Sequence, residues 1–80
     1  MQNISIFPHQ TKEIPQCMEG ETRVVILQGR AKVFLEKDIY VLDGNETVLI
    51  PPNTECKIEN NEESLLEMVC IQVKGAFQLC

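Results

Sequence analysis

Four cysteines and one histidine are the residues in this 80-residue chain best suited to metal or nucleophilic chemistry. Cys17, Cys56, Cys70 and Cys80 form no C-x-x-C pair, so their spacing fits no close-paired zinc motif. The ordinary reading is reduced, mostly buried thiols. His9 follows Phe7-Pro8 in a predicted loop, where a solvated histidine is the expectation ahead of a catalytic base. Arg23, at the start of a strand entering a candidate pocket, has the chemistry to hold a carboxylate or phosphate of a ligand. Pairing with Glu21 or another surface acid is the expectation ahead of it. Tyr40 sits in a strand, so packing comes first and stacking against a sugar second. Glu59, Glu62 and Glu63 belong to a solvated loop rather than to a carboxylate pair for glycoside chemistry. The chain has no Gly-rich phosphate loop, no Ser/His/Asp set and no nucleophile elbow.

The elements that must position these residues are strands. Turn residues recur about every 8–12 residues, the spacing of a sandwich or barrel. Runs rich in Val, Ile and Leu fill the gaps. They predict strands over Ile4–Phe7, Thr22–Gln28, Ala31–Glu36, Ile39–Leu42, Thr47–Ile50, Cys56–Glu59 and Leu65–Val73, with a weaker one over Lys12–Ile14. Asp43-Gly44-Asn45 is a turn signal between two apolar strands. Pro51-Pro52-Asn53 cannot continue a central strand, because proline donates no ladder hydrogen bond. Only Asn61–Met68 has a content compatible with a turn of helix, and Val69, Ile71 and Val73 pull its end toward a strand.

Two strands carry apolar residues on both faces. Val25 and Leu27 oppose Val24 and Ile26. Leu65, Val69, Ile71 and Val73 oppose Leu66, Met68 and Cys70. A sheet wetted on one side alternates apolar and polar residues. A cover for the second face is therefore expected. Homodimerisation through a strand or sheet face is the prediction, and a second sheet of the same barrel is the alternative.

Composition narrows the function classes. The formal net charge is −5, and the seven Lys and Arg are scattered, which disfavours nucleic acid and anionic membranes. No apolar run approaches the roughly 18 residues of a membrane span. The opening MQNISIFPHQ lacks the basic start and apolar stretch of a signal peptide, which predicts a cytoplasmic protein. The length predicts one domain over residues 1–80 with a thin core, for which help from a partner subunit is unsurprising.

Two ordered blocks then resemble the cupin family. Val24-Val25-Ile26-Leu27-Gln28-Gly29-Arg30-Ala31-Lys32-Val33 is similar to the first block, where a strand ends in a glycine turn and the next returns with a small residue and a valine. Pro51 to Asn60 is similar to the second, P-x-G-x2-H-x3-N in the family. Pro51 and Asn60 match it, and Asn53 stands where glycine is usual. The blocks cover about residues 22–73. Within cupins, Val25–Val33, Tyr40–Asn60 and Leu66–Val73 resemble the cupin domain of bacterial mannose-6-phosphate isomerase/mannose-1-phosphate guanylyltransferase proteins. The resemblance implies an all-β fold, a double-stranded β-helix or jelly-roll barrel.

It also implies a metal site that this sequence does not reproduce. Thr22 falls where the family has its carboxylate. The pairs Pro15/Cys17 and Gln16/Met18 fall where it has two histidines. Cys56 takes the histidine place of the second block. By family position Cys17 and Cys56 would face each other in the barrel. With His9 or Glu19 they would suit zinc or another divalent metal; alternatively they would pair as a disulfide, or stay unlinked. The expected function is a cupin with a degenerate metal site, a dimeric binding or regulatory module for a sugar or sugar phosphate, with Arg23, Tyr40 and Cys56 lining its pocket. Catalysis is the less expected outcome. Its form would be a sugar-phosphate isomerase or epimerase working through an atypical Cys/His site. A purely structural assembly domain is the third reading.

Overall fold

The computed structural model describes residues 2–74 and contains eight strands. They are β1 (Gln2–Ile6), β2 (Thr11–Ile14), β3 (Gly20–Gln28), β4 (Ala31–Leu35), β5 (Asp38–Leu42), β6 (Thr47–Ile50), β7 (Cys56–Glu59) and β8 (Leu66–Lys74). Their places follow the apolar runs, with the first strand beginning two residues earlier than the pattern predicts and ending at Ile6. The helical reading of Asn61–Met68 is not met. Residues 62–64 form bends, and β8 starts at Leu66. The β-branched residues of that segment pair with β1 and β3, and a strand satisfies them better than a helix. Phe77 and Cys80 lie outside the described residues.

The topology is a long hairpin bent upon itself. β4 pairs with β5, β3 with β6, β2 with β7 and β1 with β8, all antiparallel. Successive pairs fall alternately into two four-stranded sheets, β1-β8-β3-β6 and β2-β7-β4-β5. Lateral pairing of β3 with β8 and of β4 with β7 completes each sheet. This is the jelly-roll arrangement of an all-β double-stranded helix.

Three corners hold the hairpin's bends. At each, two chain crossings from sheet to sheet run side by side and exchange backbone hydrogen bonds. The His9 N–H donates to the Asn60 carbonyl at 2.7 Å, and the Asn60 N–H to that of Gln10 at 2.9 Å. The Asn53 N–H donates to Cys17 at 3.2 Å. The Ile26 N–H donates to Glu46 at 2.9 Å, and the Asn45 N–H to Ile26 at 2.6 Å. The ladder thus continues around each bend, and buried backbone groups keep their partners.

The core lies between the inner faces. Val24 and Ile26 of β3, Val33 of β4, Ile58 of β7, and Leu66 and Met68 of β8 are fully or almost fully buried. Each such side chain contributes about 1.5–3 kcal/mol by leaving water. The second sheet covers only this inner face of the first. On the outer face Leu27 and Leu49 are half exposed, and Val25, Val69 and Ile71 are half-buried.

Candidate functional site

One mouth of the barrel carries a cleft of about 360 Å³. Gln2, Thr22, Cys70 and Gln72 line it from the first sheet, and Ile14 and Pro15 from the second. The register explains why these residues meet. Gln2 lies opposite Cys70 and Gln72 opposite Thr22, and opposite residues of an antiparallel pair share a face. That face is the inner one, since Cys70 also lies opposite the buried Val24. Two carboxamides, a hydroxyl and a thiol therefore converge over an apolar floor. None of the described residues lining the cleft is charged.

A second and more open cleft of about 610 Å³ lies at the edge of the other sheet. Glu13, Glu36, Glu55 and Lys57 surround it, with Phe34 and Cys56 in its wall. The Lys32 and Lys57 ammonium groups stand 5.3 and 5.8 Å from the centre of the Phe34 ring, within cation–π range.

Thr22 and Cys56 are both buried on the inner surface, Thr22 in the mouth cleft and Cys56 against Ile14 and Leu35 by register. Burial pushes the Cys56 thiol up to about 11, with Cys70 adding to the shift, and burial also raises Cys70, partly offset by Lys12. In both, burial favours the protonated thiol.

The other sequence-predicted site residues are not brought to this place. Cys17 is buried on the crossing from β2 to β3, and it is free, as are Cys56 and Cys70. The disulfide between Cys17 and Cys56 is thus not formed. His9 stands on the β1–β2 connection, with Nε2 2.8 Å from Glu63 Oε2. Arg23 points outward, its Nε donating to Glu21 at 3.2 Å. Tyr40 lies on the edge strand β5 and is 42% exposed. Arg23 and Tyr40 line neither cleft. Gln2 and Gln72 are the residues the sequence reading did not single out. Gln72 carries a signal, a polar residue between Ile71 and Val73, whereas Gln2 precedes the apolar run of its strand.

The donor set does not fit the family's metal. Such a site needs ionised or imidazole donors converging on one point. Here a hydroxyl and a single thiol hold two of the positions, and among the described residues no three of His, Cys, Asp and Glu gather closely enough to bind an ion.

The other residues aligned with the cupin pattern hold corners instead. Gly29 has φ +98°, and a Cβ there would come within 3.1 Å of the Leu65 carbonyl and the Leu66 Cα. Asn53, standing where the family has glycine, has φ 61°. Asparagine is among the few other residues that enter this left-handed region readily. Asn60 is fully buried and bonded through both ends of its amide.

Known proteins agree with this architecture. A family model described as mannose-6-phosphate isomerase C-terminal matches residues 1–78. A search of curated proteins finds no match. Among solved structures, TT1209 from Thermus thermophilus aligns with a TM-score of 0.80 at 12% identity, over 90% of this chain and 69% of its own. The Cnp3 cupin domain of Schizosaccharomyces pombe aligns with a TM-score of 0.82 at 12% identity, over 95% and 56%. A predicted oxalate decarboxylase from Thermotoga maritima aligns with a TM-score of 0.76 at 16% identity, over 90% and 63%. The chain thus spans between 56% and 69% of these structures' lengths. At these identities the likeness establishes the cupin fold.

Proposed function

The chain belongs to the mannose-6-phosphate isomerase C-terminal family, and from that premise we propose that it is a dimeric binding or regulatory module rather than a catalyst. Its ligand is a small uncharged polyhydroxylated molecule, a sugar, seated in the barrel mouth. The observation that carries this reading is the chemistry of that cleft. Gln2, Thr22 and Gln72 offer donors and acceptors of neutral type over Ile4 and Ile14, and none of the described residues lining the cleft is a cation for a phosphate. Apolar floors with a few placed polar groups are the usual form of small-molecule sites. A second copy of the chain is the partner, supported by the apolar side chains that the core leaves outside, among them Leu27, Ile39, Val41 and Leu49.

The test is calorimetric titration with D-mannose and mannose 6-phosphate, on protein purified without a metal-binding tag. Binding of the free sugar, no gain from the phosphate, and loss of binding in Thr22→Val or Gln72→Leu are expected. Binding that requires the phosphate, or a stoichiometric metal in the purified protein, overturns the reading.

A further inference from the structure

We propose that the seam of the dimer is β5, joined antiparallel to β5 of a second copy about a two-fold axis. This inference rests on the dimer of the preceding section and names its surface. β5 is an edge strand, bonded on one side to β4, so one row of its backbone N–H and C=O groups faces outward. Natural edges are guarded by charges, prolines or bulges. The middle of β5 has none of these. Ile39, Tyr40 and Val41 are 57%, 42% and 58% exposed, although three adjacent large apolar residues ordinarily seek cover.

Self-pairing centred on Tyr40 resolves all of this at once. It sets Ile39 opposite the partner's Val41 on the outer face, beside Phe34, which lies across from Ile39 within the chain. It sets Tyr40 opposite the partner's Tyr40 on the inner side, the side of Val33. At both ends it brings Lys37 toward the partner's Asp43, an opposite-charge pair repeated by the symmetry. Asp43 already accepts from Arg30 Nε through Oδ1 at 2.8 Å, and its other oxygen is available. The two copies then share one eight-stranded sheet, and the exposed backbone row is satisfied. The outer face of the first sheet is the weaker candidate. Its apolar residues are already half-buried except Leu27 and Leu49, and the Glu21–Arg23 pair interrupts it.

A five-residue seam falls at the low end of interface sizes, so association is concentration-dependent. Light scattering after size-exclusion chromatography, from low to high micromolar concentration, reads it. The wild-type chain is expected to shift from monomer toward dimer. Val41→Lys loses the dimer while keeping its thermal transition, because the residue is exposed. Lys37→Glu and Asp43→Lys each weaken self-association by about tenfold or more, and mixing the two variants restores pairing, since every charged contact is again of opposite sign. A dimer that survives Val41→Lys and Lys37→Glu but is lost in Leu49→Lys overturns the β5 seam and leaves the dimer standing. A wild-type chain that stays monomeric throughout removes both.

Discussion

Replacing Asn60 by alanine should cost the fold about 3–4 kcal/mol. The side chain is fully buried between the β1–β2 and β7–β8 crossings. Its Nδ2 donates to the Ile6 carbonyl and the Ser64 carbonyl, each at 2.9 Å, and its Oδ1 accepts from the Glu62 N–H at 3.0 Å. With two carbonyls on one side and an N–H on the other, only one orientation of the amide satisfies all three partners. A net hydrogen bond is worth about 1 kcal/mol, so three give about 3. Stranding the buried Ile6 carbonyl adds about another 1 kcal/mol or more. For a domain near this size each kcal/mol moves Tm by about 4–8 °C, so a fall of roughly 12–30 °C is expected. Urea unfolding followed by circular dichroism measures it, with an unchanged m-value showing that the loss is in stability alone. Asn61→Ala is the control, since Asn61 makes only an exposed 3.3 Å bond to Glu59. Asn60→Asp should be at least as damaging at pH 7, because its carboxylate would face two carbonyl oxygens. It should recover in part on acidification, when the protonated acid can donate once. If Asn60→Ala costs less than about 1 kcal/mol, or no more than Asn61→Ala, the corner is not held by this amide.

Gly29→Ala should destabilise by about 2 kcal/mol or more, since it adds a left-handed penalty to contacts of 3.1 Å with the backbone of residues 65 and 66; thermal melts would show it, and a neutral substitution would mean that the β3–β4 turn moves freely. Asn53→Gly at another left-handed corner should stay within about 0.5 kcal/mol of the wild type, whereas Asn53→Val should be clearly destabilising. Stability should fall between pH 9 and 11, because Cys56 ionises near 9 when unfolded and only near 11 when folded. The unfolded chain then binds fewer protons, so stability complete below pH 9 is lost by up to about 3 kcal/mol as pH rises through the folded value. Melts of wild type and Cys56→Val across that range test this, and parallel curves would remove Cys56 as the cause.

The strand pattern was legible because its signals are local. Alternation, β-branched runs and breakers such as Asp43-Gly44 act within a few residues of each other. Gly29, Pro51 and Asn60 were legible as cupin-like positions, but their work was not, because it depends on neighbours far along the chain. Asn60 bonds to a carbonyl 54 residues away. The site was harder for the same reason. Arg23 was expected at a pocket, yet strand parity turns it outward with Glu21 while Thr22 turns in. His9, Cys17 and Cys56 are separated by connections whose path no periodicity encodes. The mouth cleft depends on Gln2 and Gln72, from strands at opposite ends of the described chain, and only the pairing of β1 and β3 with β8 brings them together.

The two groups of positions that align with the family carry different physical loads, and this explains how the corners keep their conformational demands where the inner donors are changed. Gly29, Asn53 and Asn60 sit where the hairpin bends between sheets. There the backbone needs a left-handed residue, or a buried amide with fixed polarity, and few side chains supply either. Thr22 and Cys56 sit on the inner surface, where the surroundings are Ile14, Ile50 and Leu35 by register. A neutral side chain of modest size is stable there without a partner ion, whereas a carboxylate or a charged imidazole would need one to offset its desolvation. A Thr22→Glu/Cys56→His double variant puts this to use. Without added metal it should be less stable than the wild type, and a divalent ion should recover stability only if the remaining donor positions can also be supplied.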